Sequence, residues 1–229
     1  MPTLKFLCLH GAGTSNDIFR SQLRPLIDEL ERDGSAKFEF LQGRVSCGAG
    51  PGISAVFEPP YFSFYNWPRT FDPSDDDSMH DAYALLEDTL AEQGPFDGLL
   101  GFSHGGTLAA GFLGHLAKKR QDLRNLPVRC AVLLNALPPF RVKNFIKGKS
   151  RSRDIKEFFH DEGLEGCLML PTLHVVSEAD FIYQQSMKLY DICDSRSKLL
   201  IKHDGGHGIP TDPGVVKKVA ATIRELGKE

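Results

Sequence analysis

Six short apolar runs alternate with stretches of helical periodicity, and no other feature of this chain restricts its fold so tightly. The runs are residues 4–9 (LKFLCL), 37–41 (KFEFL), 96–102 (FDGLLGF), 128–134 (VRCAVLL), 172–177 (TLHVVS) and 197–202 (SKLLIK). Several are almost continuously apolar. A strand with one wet face alternates apolar and polar residues, so continuous runs point to strands covered on both faces, as in a parallel sheet. Between the runs, Ile18, Phe19, Leu23, Leu26, Ile27 and Leu30 recur at a spacing of three and four and predict a helix over 16–32. Met79, Ala82, Tyr83, Leu85, Leu86 and Leu90 do the same over 79–92, and residues 104–119, 181–193 and 213–226 behave similarly. Asp212 ahead of Pro213 marks a helix start, a capping carboxylate followed by proline at the first helical position. The alternation predicts an α/β fold with a mostly parallel sheet of about six strands and helices on both faces. With 229 residues, 41% hydrophobic and 25% charged, the chain has the apolar material for a single domain over 1–229 without staples.

Two segments break the rhythm. Residues 43–78 carry "CGAGPGI", "EPPYFSFYNWP" and the acidic "DPSDDD"; residues 138–170 form a second excursion. Loops this long in a compact domain are usually walls or lids of a binding site. Phe57, Tyr61, Phe62, Phe64, Tyr65 and Trp67 could line an apolar substrate pocket there, or simply pack a long loop down. "SDDD" reads as a solvated helix start and not as a metal site, because no histidine or further carboxylate is spaced to complete a ligand set.

Composition removes several function classes. A net charge of −3 argues against nucleic acid as a partner. Cys8, Cys47, Cys130, Cys167 and Cys193 are odd in number and dispersed, which is the pattern of reduced thiols in a cytoplasmic protein. No stretch approaches the roughly 18–20 apolar residues of a membrane span, and the N-terminal run is too short for a secretory signal. The expectation is a cytoplasmic protein with no membrane partner.

The chemistry concentrates where the strands end. Gly101-Phe102-Ser103-His104-Gly105 fits G-x-S-x-G at the junction of an apolar strand and a helix. A strand that turns abruptly into a helix holds its corner residue in strained geometry, and side chains two positions either side would collide. The corner lifts a hydroxyl out of the sheet at a helix N-terminus, where backbone N–H groups can stabilise an oxyanion. A serine needs a base, and the base a carboxylate to orient it. His207 in "KHDGGHGIP" follows the last strand on a glycine-rich loop; His203 is the nearby competitor. Asp180 follows the fifth strand in "LHVVSEAD", with Glu178 second and Asp204 a distant third. Asp180 could instead cap the helix after it. Ser103, Asp180 and His207 occur in the chain order of the α/β-hydrolases, each at the strand edge where open α/β sheets bind ligands.

After the first strand, "LCLHGAG" places small residues that let the backbone approach the corner serine. Ala12 is the expected second oxyanion donor beside His104, with Gly13 as the alternative. Gly11-Ala12-Gly13 is no dinucleotide fingerprint: the third glycine is missing, and no strand-end acid lies about 20 residues on. Neither glycine-rich loop contains the G-K-[ST] of a P-loop. His10 is expected to shape its loop.

At these residues the chain resembles the FSH1-like family of small fungal serine hydrolases, related to the ovarian-cancer-associated protein 2 hydrolases. "FLCLHGAGTSNDIFRSQL" is similar to its first strand and oxyanion loop, "FDGLLGFSHGG" to its "FDGxxGFSQGA", "HVVSEAD" to its acid strand and "GGHGIP" to its "GGHxxP". The resemblance implies an α/β-hydrolase fold, a Ser103–Asp180–His207 triad and no cofactor. His104 stands where the family usually has Gln, and Glu178 where Gly is common. The resemblance also implies an esterase or thiohydrolase acting on acyl or polyketide intermediates of fungal secondary metabolism, with a small ester or thioester as substrate. Residues 141–156 carry seven Lys/Arg against one Asp, a local +6 that could steer an acyl carrier protein domain. The competing reading is a non-catalytic binding module on the same fold; a carbon–carbon hydrolase or lactonase would share the triad.

Overall fold

Each of the six apolar runs forms a strand, and the strands join in one sheet. The computed structural model describes residues 3–69, 74–120, 126–139, 168 and 170–227. In chain order these hold β1 (Leu4–Leu9), α1 (Asn16–Gln22), α2 (Arg24–Glu31), β2 (Ala36–Leu41), β3 (Val45–Cys47), β4 (Tyr61–Ser63), α3 (Ser74–Gln93) and β5 (Gly98–Phe102). They continue with α4 (His104–Arg120), β6 (Cys130–Leu134), β7 (Thr172–Ser177), α5 (Tyr183–Ile192), β8 (Lys198–His203) and α6 (Pro213–Leu226). The main sheet runs β2-β1-β5-β6-β7-β8 with every neighbouring pair parallel.

The pleat sends alternate side chains to opposite faces, and both faces are covered. Leu4, Phe6 and Cys8 of β1, Leu100 and Phe102 of β5, and Cys130, Val132 and Leu134 of β6 pack with Phe19, Leu26 and Leu30 of α1–α2 and Val219 and Ile223 of α6. Leu7, Leu9, Leu99, Ala131 and Leu133 pack instead with Leu86 of α3, Leu108 and Phe112 of α4 and Leu189 of α5. Two-sided burial is why these strands read as continuous apolar runs. Truncating a fully buried residue such as Leu100 to alanine costs about 2–5 kcal/mol.

Two details differ from the sequence expectation. The single helix expected over 16–32 is two, meeting at the buried Leu23. Pro25 sits in the first turn of α2 and has no N–H to continue the ladder of α1. The apolar stripe runs through the break, so periodicity alone could not show it. The 43–78 excursion also contains structure: β3 and β4 pair antiparallel, Val45 opposite Ser63 and Cys47 opposite Tyr61. This small sheet lies on the loop after β1. Gly13 N–H donates to the Phe62 carbonyl at 3.0 Å, Phe62 N–H to Thr14 O at 2.6 Å, and Gly50 N–H to Gly13 O at 2.9 Å.

Strand order sets the site. From β1 the chain moves outward to β2, then returns past β1 to β5 and continues the other way. The loops after β1 and β5 therefore part at a crevice above the carboxyl edge, the place where open α/β sheets bind ligands.

Candidate active site

Ser103 stands alone between the last residue of β5 and the first of α4, at φ +50° in the left-handed region. Non-glycine residues there carry strain, held only because the surroundings over-determine it. The surroundings are backbone at close quarters. A Cβ on Gly105 would lie 2.2 Å from the Leu9 carbonyl oxygen, and one on Gly101 would lie 2.5 Å from Gly106 N and Cα. Gly106, outside the pentapeptide, is equally constrained: its Cβ would come 2.7 Å from that of Ala136. Ser103 N–H donates to Leu134 O at 2.8 Å, and the Thr107 hydroxyl donates to Ser103 O at 3.1 Å.

Three side chains far apart in sequence meet at this corner. His207 Nε2 lies 3.0 Å from Ser103 Oγ, and His207 Nδ1 lies 2.8 Å from Asp180 Oδ2. The Asp180 side chain is wholly buried. An ionised carboxylate only accepts, so it places the imidazole proton on Nδ1 and leaves Nε2 free to accept from the hydroxyl. The other Asp180 oxygen, Oδ1, accepts from Ile182 N–H at 3.0 Å just ahead of α5. That bond closes a short turn and caps no helix, since the N-cap of α5 is Ile182 and it has no side-chain cap; the capping reading of Asp180 fails, and its second oxygen faces the imidazole. The rival groups are engaged elsewhere. Glu178 is exposed and pairs with Lys202 Nζ at 2.6 Å, which holds its carboxyl below the usual range. His203 is buried at the end of β8, where its Nδ1 accepts from Gly205 N–H. Asp204 is exposed.

The loop after β1 separates the two candidate donors. Gly13 N–H is spent on Phe62 O, whereas Ala12 N–H meets no acceptor among the described residues. Gly13, at φ +67°, could not carry a side chain, because its Cβ would lie 2.1 Å from Gly50 N. Gly11 O is fixed by two donors, Thr14 Oγ1 at 2.7 Å and His10 Nδ1 at 2.8 Å. His104 opens α4, so its N–H belongs to the first-turn donors that have no partner within a helix.

Two buried imidazoles pin the 43–65 segment over this loop. His10 Nε2 accepts from Gly43 N–H at 3.0 Å, and His104 Nε2 accepts from Phe64 N–H at 3.1 Å. Burial lowers the His10 pKa to about 4 and holds His104 well below the ordinary histidine value, with His10 adding to the latter. Phe64 is buried, its ring 4.5 Å from that of His10, and Tyr65 stacks on His104 at 3.8 Å. Tyr61 is buried with its hydroxyl donating to the Phe57 carbonyl. Trp67 remains 39% exposed, edge-on to His104.

Two residues of this site went unread in the sequence. Phe181 is 74% exposed with its ring 4.8 Å from that of His207; its place beside Asp180 was the available signal. Asn135, fully buried at φ +43°, bridges β7 and the His207 loop. An amide ending an apolar strand next to β5 was its only mark. Among the described residues no group of three His, Cys, Asp or Glu is arranged to hold a metal ion, and no helix is long and apolar enough to cross a membrane. The basic stretch 141–156 and nearly all of the second excursion lie outside the described residues.

The parallel sheet with a strained serine corner is the α/β-hydrolase fold. A Bacillus cereus carboxylesterase superposes with a TM-score of 0.58 at 18% identity, over 98% of this chain and 89% of that one. The chain belongs to the FSH1 serine hydrolase family, whose model matches residues 1–219. Hydrolase phiM of Talaromyces stipitatus is 39% identical over 233 residues, 99% of this chain and 88% of that protein. Esterase FPY3 of Fusarium mangiferae is 28% identical over 212 residues, 92% and 90% of the two chains. The chain is thus a serine hydrolase, an enzyme that hydrolyses esters.

Proposed function

We propose that Ser103, His207 and Asp180 form a catalytic triad that cleaves an ester or thioester by two-step acyl transfer to water. The observation that carries this is one imidazole held between the Ser103 hydroxyl at 3.0 Å and the Asp180 carboxylate at 2.8 Å. His207 Nε2 takes the hydroxyl proton as Ser103 Oγ attacks the carbonyl carbon. It returns that proton to the departing alcohol or thiol. Water then attacks the acyl-enzyme by the same route, and Ser103 is released. Asp180 fixes the tautomer and stabilises the imidazolium. The N–H groups of Ala12 and His104 receive the oxyanion; the engagement of Gly13 N–H with Phe62 favours Ala12. Each donor contributes about 10²–10³ in rate.

The substrate in this reading is a small acyl or aryl ester or thioester, its apolar part resting on Phe57 and Trp67 of the first excursion and against Phe181, whereas the buried Tyr61 and Phe64 pack that excursion down. The family resemblance extends it to a polyketide-type intermediate of fungal secondary metabolism, delivered free or on an acyl carrier protein domain. The chemistry runs on side chains and backbone and calls for no cofactor. The test is hydrolysis of a graded set of acyl esters and carrier-bound thioesters by the wild type, Ser103→Ala and His207→Ala. Turnover by the wild type, lost about 10³-fold or more in both variants, supports the triad. Wild-type rates in Ser103→Ala would overturn it, and no turnover of any substrate would favour a binding module.

A further inference from the structure

The end of β6 touches all three arms of the candidate triad. Leu134 O accepts from the N–H of Ser103 at 2.8 Å. Leu137 N–H donates at 3.0 Å to the Thr107 hydroxyl, which itself donates to Ser103 O. Between them sits Asn135, 1% exposed, in the left-handed region at φ +43°. Its backbone N–H donates to Val175 O of β7 at 2.9 Å. Its side-chain Oδ1 accepts from Ser177 N–H at 3.1 Å, at the end of the strand that leads to Asp180. Its Nδ2 donates to Gly208 O at 2.9 Å and to Gly206 O at 3.4 Å, the residues on either side of His207. Ser177 closes the circuit, its Oγ accepting from Gly206 N–H at 3.0 Å.

A loop of four consecutive flexible or polar residues, Asp204 to His207, has no intrinsic reason to present its imidazole at hydrogen-bonding distance from an oxygen 104 residues away. The amide of Asn135 supplies that reason. It needs a donor toward the loop and an acceptor toward β7 on a short, two-torsion side chain, and asparagine offers both. Asparagine also tolerates the left-handed backbone better than most residues. Resting on the triad reading above, we infer that Asn135 is a positioning residue. It ties the His207 loop to the turn that carries Asp180 and to the strand that holds the Ser103 amide, and so sets the distances between the three reacting groups. It touches none of the reacting atoms itself.

The test uses two variants. Asn135→Gly keeps the left-handed backbone at no steric cost and deletes the amide. Asn135→Asp keeps the acceptor for Ser177 N–H and loses the donors to Gly206 and Gly208. Both are compared with the wild type, Ser103→Ala and His207→Ala for kcat and KM on a small soluble ester. The low-field proton resonance of the His207–Asp180 hydrogen bond is recorded in parallel. The expectation is a fall in kcat of about 10- to 100-fold in both Asn135 variants, with KM within threefold of wild type and the resonance shifted or broadened. Lowered melting temperature with unchanged kcat and an unmoved resonance would overturn the inference and leave Asn135 as an ordinary core contact. If Asn135→Gly does not fold, Asn135→Asp decides alone by the same readings. Full activity in Ser103→Ala or His207→Ala would instead remove the triad reading on which this rests, a result separable from any behaviour of the Asn135 variants.

Discussion

At Gly105 the constraint on a single residue is a carbonyl oxygen 2.2 Å from where a Cβ would stand, followed by His10 O at 2.6 Å. Both obstacles are backbone, so neither can rotate away, and β1 would have to move from the start of α4. Gly105→Ala is expected to cost about 1–3 kcal/mol in stability and to lower kcat/KM by about 100-fold, read by denaturant unfolding and ester hydrolysis. Gly48→Ala is the matched control: nothing lies within 4 Å of its Cβ position, and it should behave as wild type. Asp180 supports a sharper prediction. In Asp180→Asn the side-chain oxygen can still accept from Ile182 N–H, but the NH2 group then faces His207 Nδ1 and donates to it, which leaves the ring proton on Nε2, the wrong tautomer for taking the Ser103 proton. A loss of about 10⁴ in kcat is expected, with little change in the unfolding midpoint. Equal losses in activity and stability would contradict a catalytic role.

At the scale of elements, the segment 43–65 is fastened to the sheet edge by two neutral histidines acting as acceptors, His10 toward Gly43 and His104 toward Phe64. Protonating either would turn its acceptor nitrogen into a donor facing an N–H. In the unfolded chain His10 titrates near 6.5, in the folded chain at about 4. Between those values the unfolded state binds the extra proton, so folding stability falls as pH drops through this window. The loss from His10 alone reaches about 3 kcal/mol below both values, and His104 adds in the same direction. Urea unfolding at pH 7 and pH 4.5 tests this: His104→Gln, which accepts at any pH, should lose less stability on acidification than wild type. Identical losses would place the acid sensitivity elsewhere. These fastenings also mark the limit of what the sequence made legible. Strands and corner were readable because apolar runs and glycines are local signals, and every apolar run became a strand. The β3–β4 pair was not, because three-residue strands held by backbone bonds to Gly13 and Thr14 leave no periodic trace. Asn135 and Phe181 were missed for a related reason. Their significance is a neighbour far away in sequence, 71 and 73 positions for Asn135 and 26 for Phe181, and one chain carries no record of that pairing.

On the scale of the whole molecule, charge is distributed unevenly: −3 overall, but +6 within residues 141–156. In the carrier-bound reading proposed above, this basic stretch would meet the acidic carrier and act on encounter more than on chemistry. Reversing Lys147, Lys149, Arg151 and Arg153 should slow hydrolysis of a carrier-bound thioester and spare a small free ester, with the difference shrinking at high salt. Equal effects on both substrates would remove the carrier from the account. The sheet itself brings β1, β5, β7 and β8 to one rim, so that a hydroxyl, an imidazole and a carboxylate separated by up to 104 positions converge. Labelling with a fluorophosphonate probe, followed by mass mapping of the modified peptide, tests that convergence most directly. A single adduct on Ser103 is expected, absent in Ser103→Ala and strongly slowed in His207→Ala. An adduct on any other residue, or undiminished labelling of His207→Ala, would contradict it.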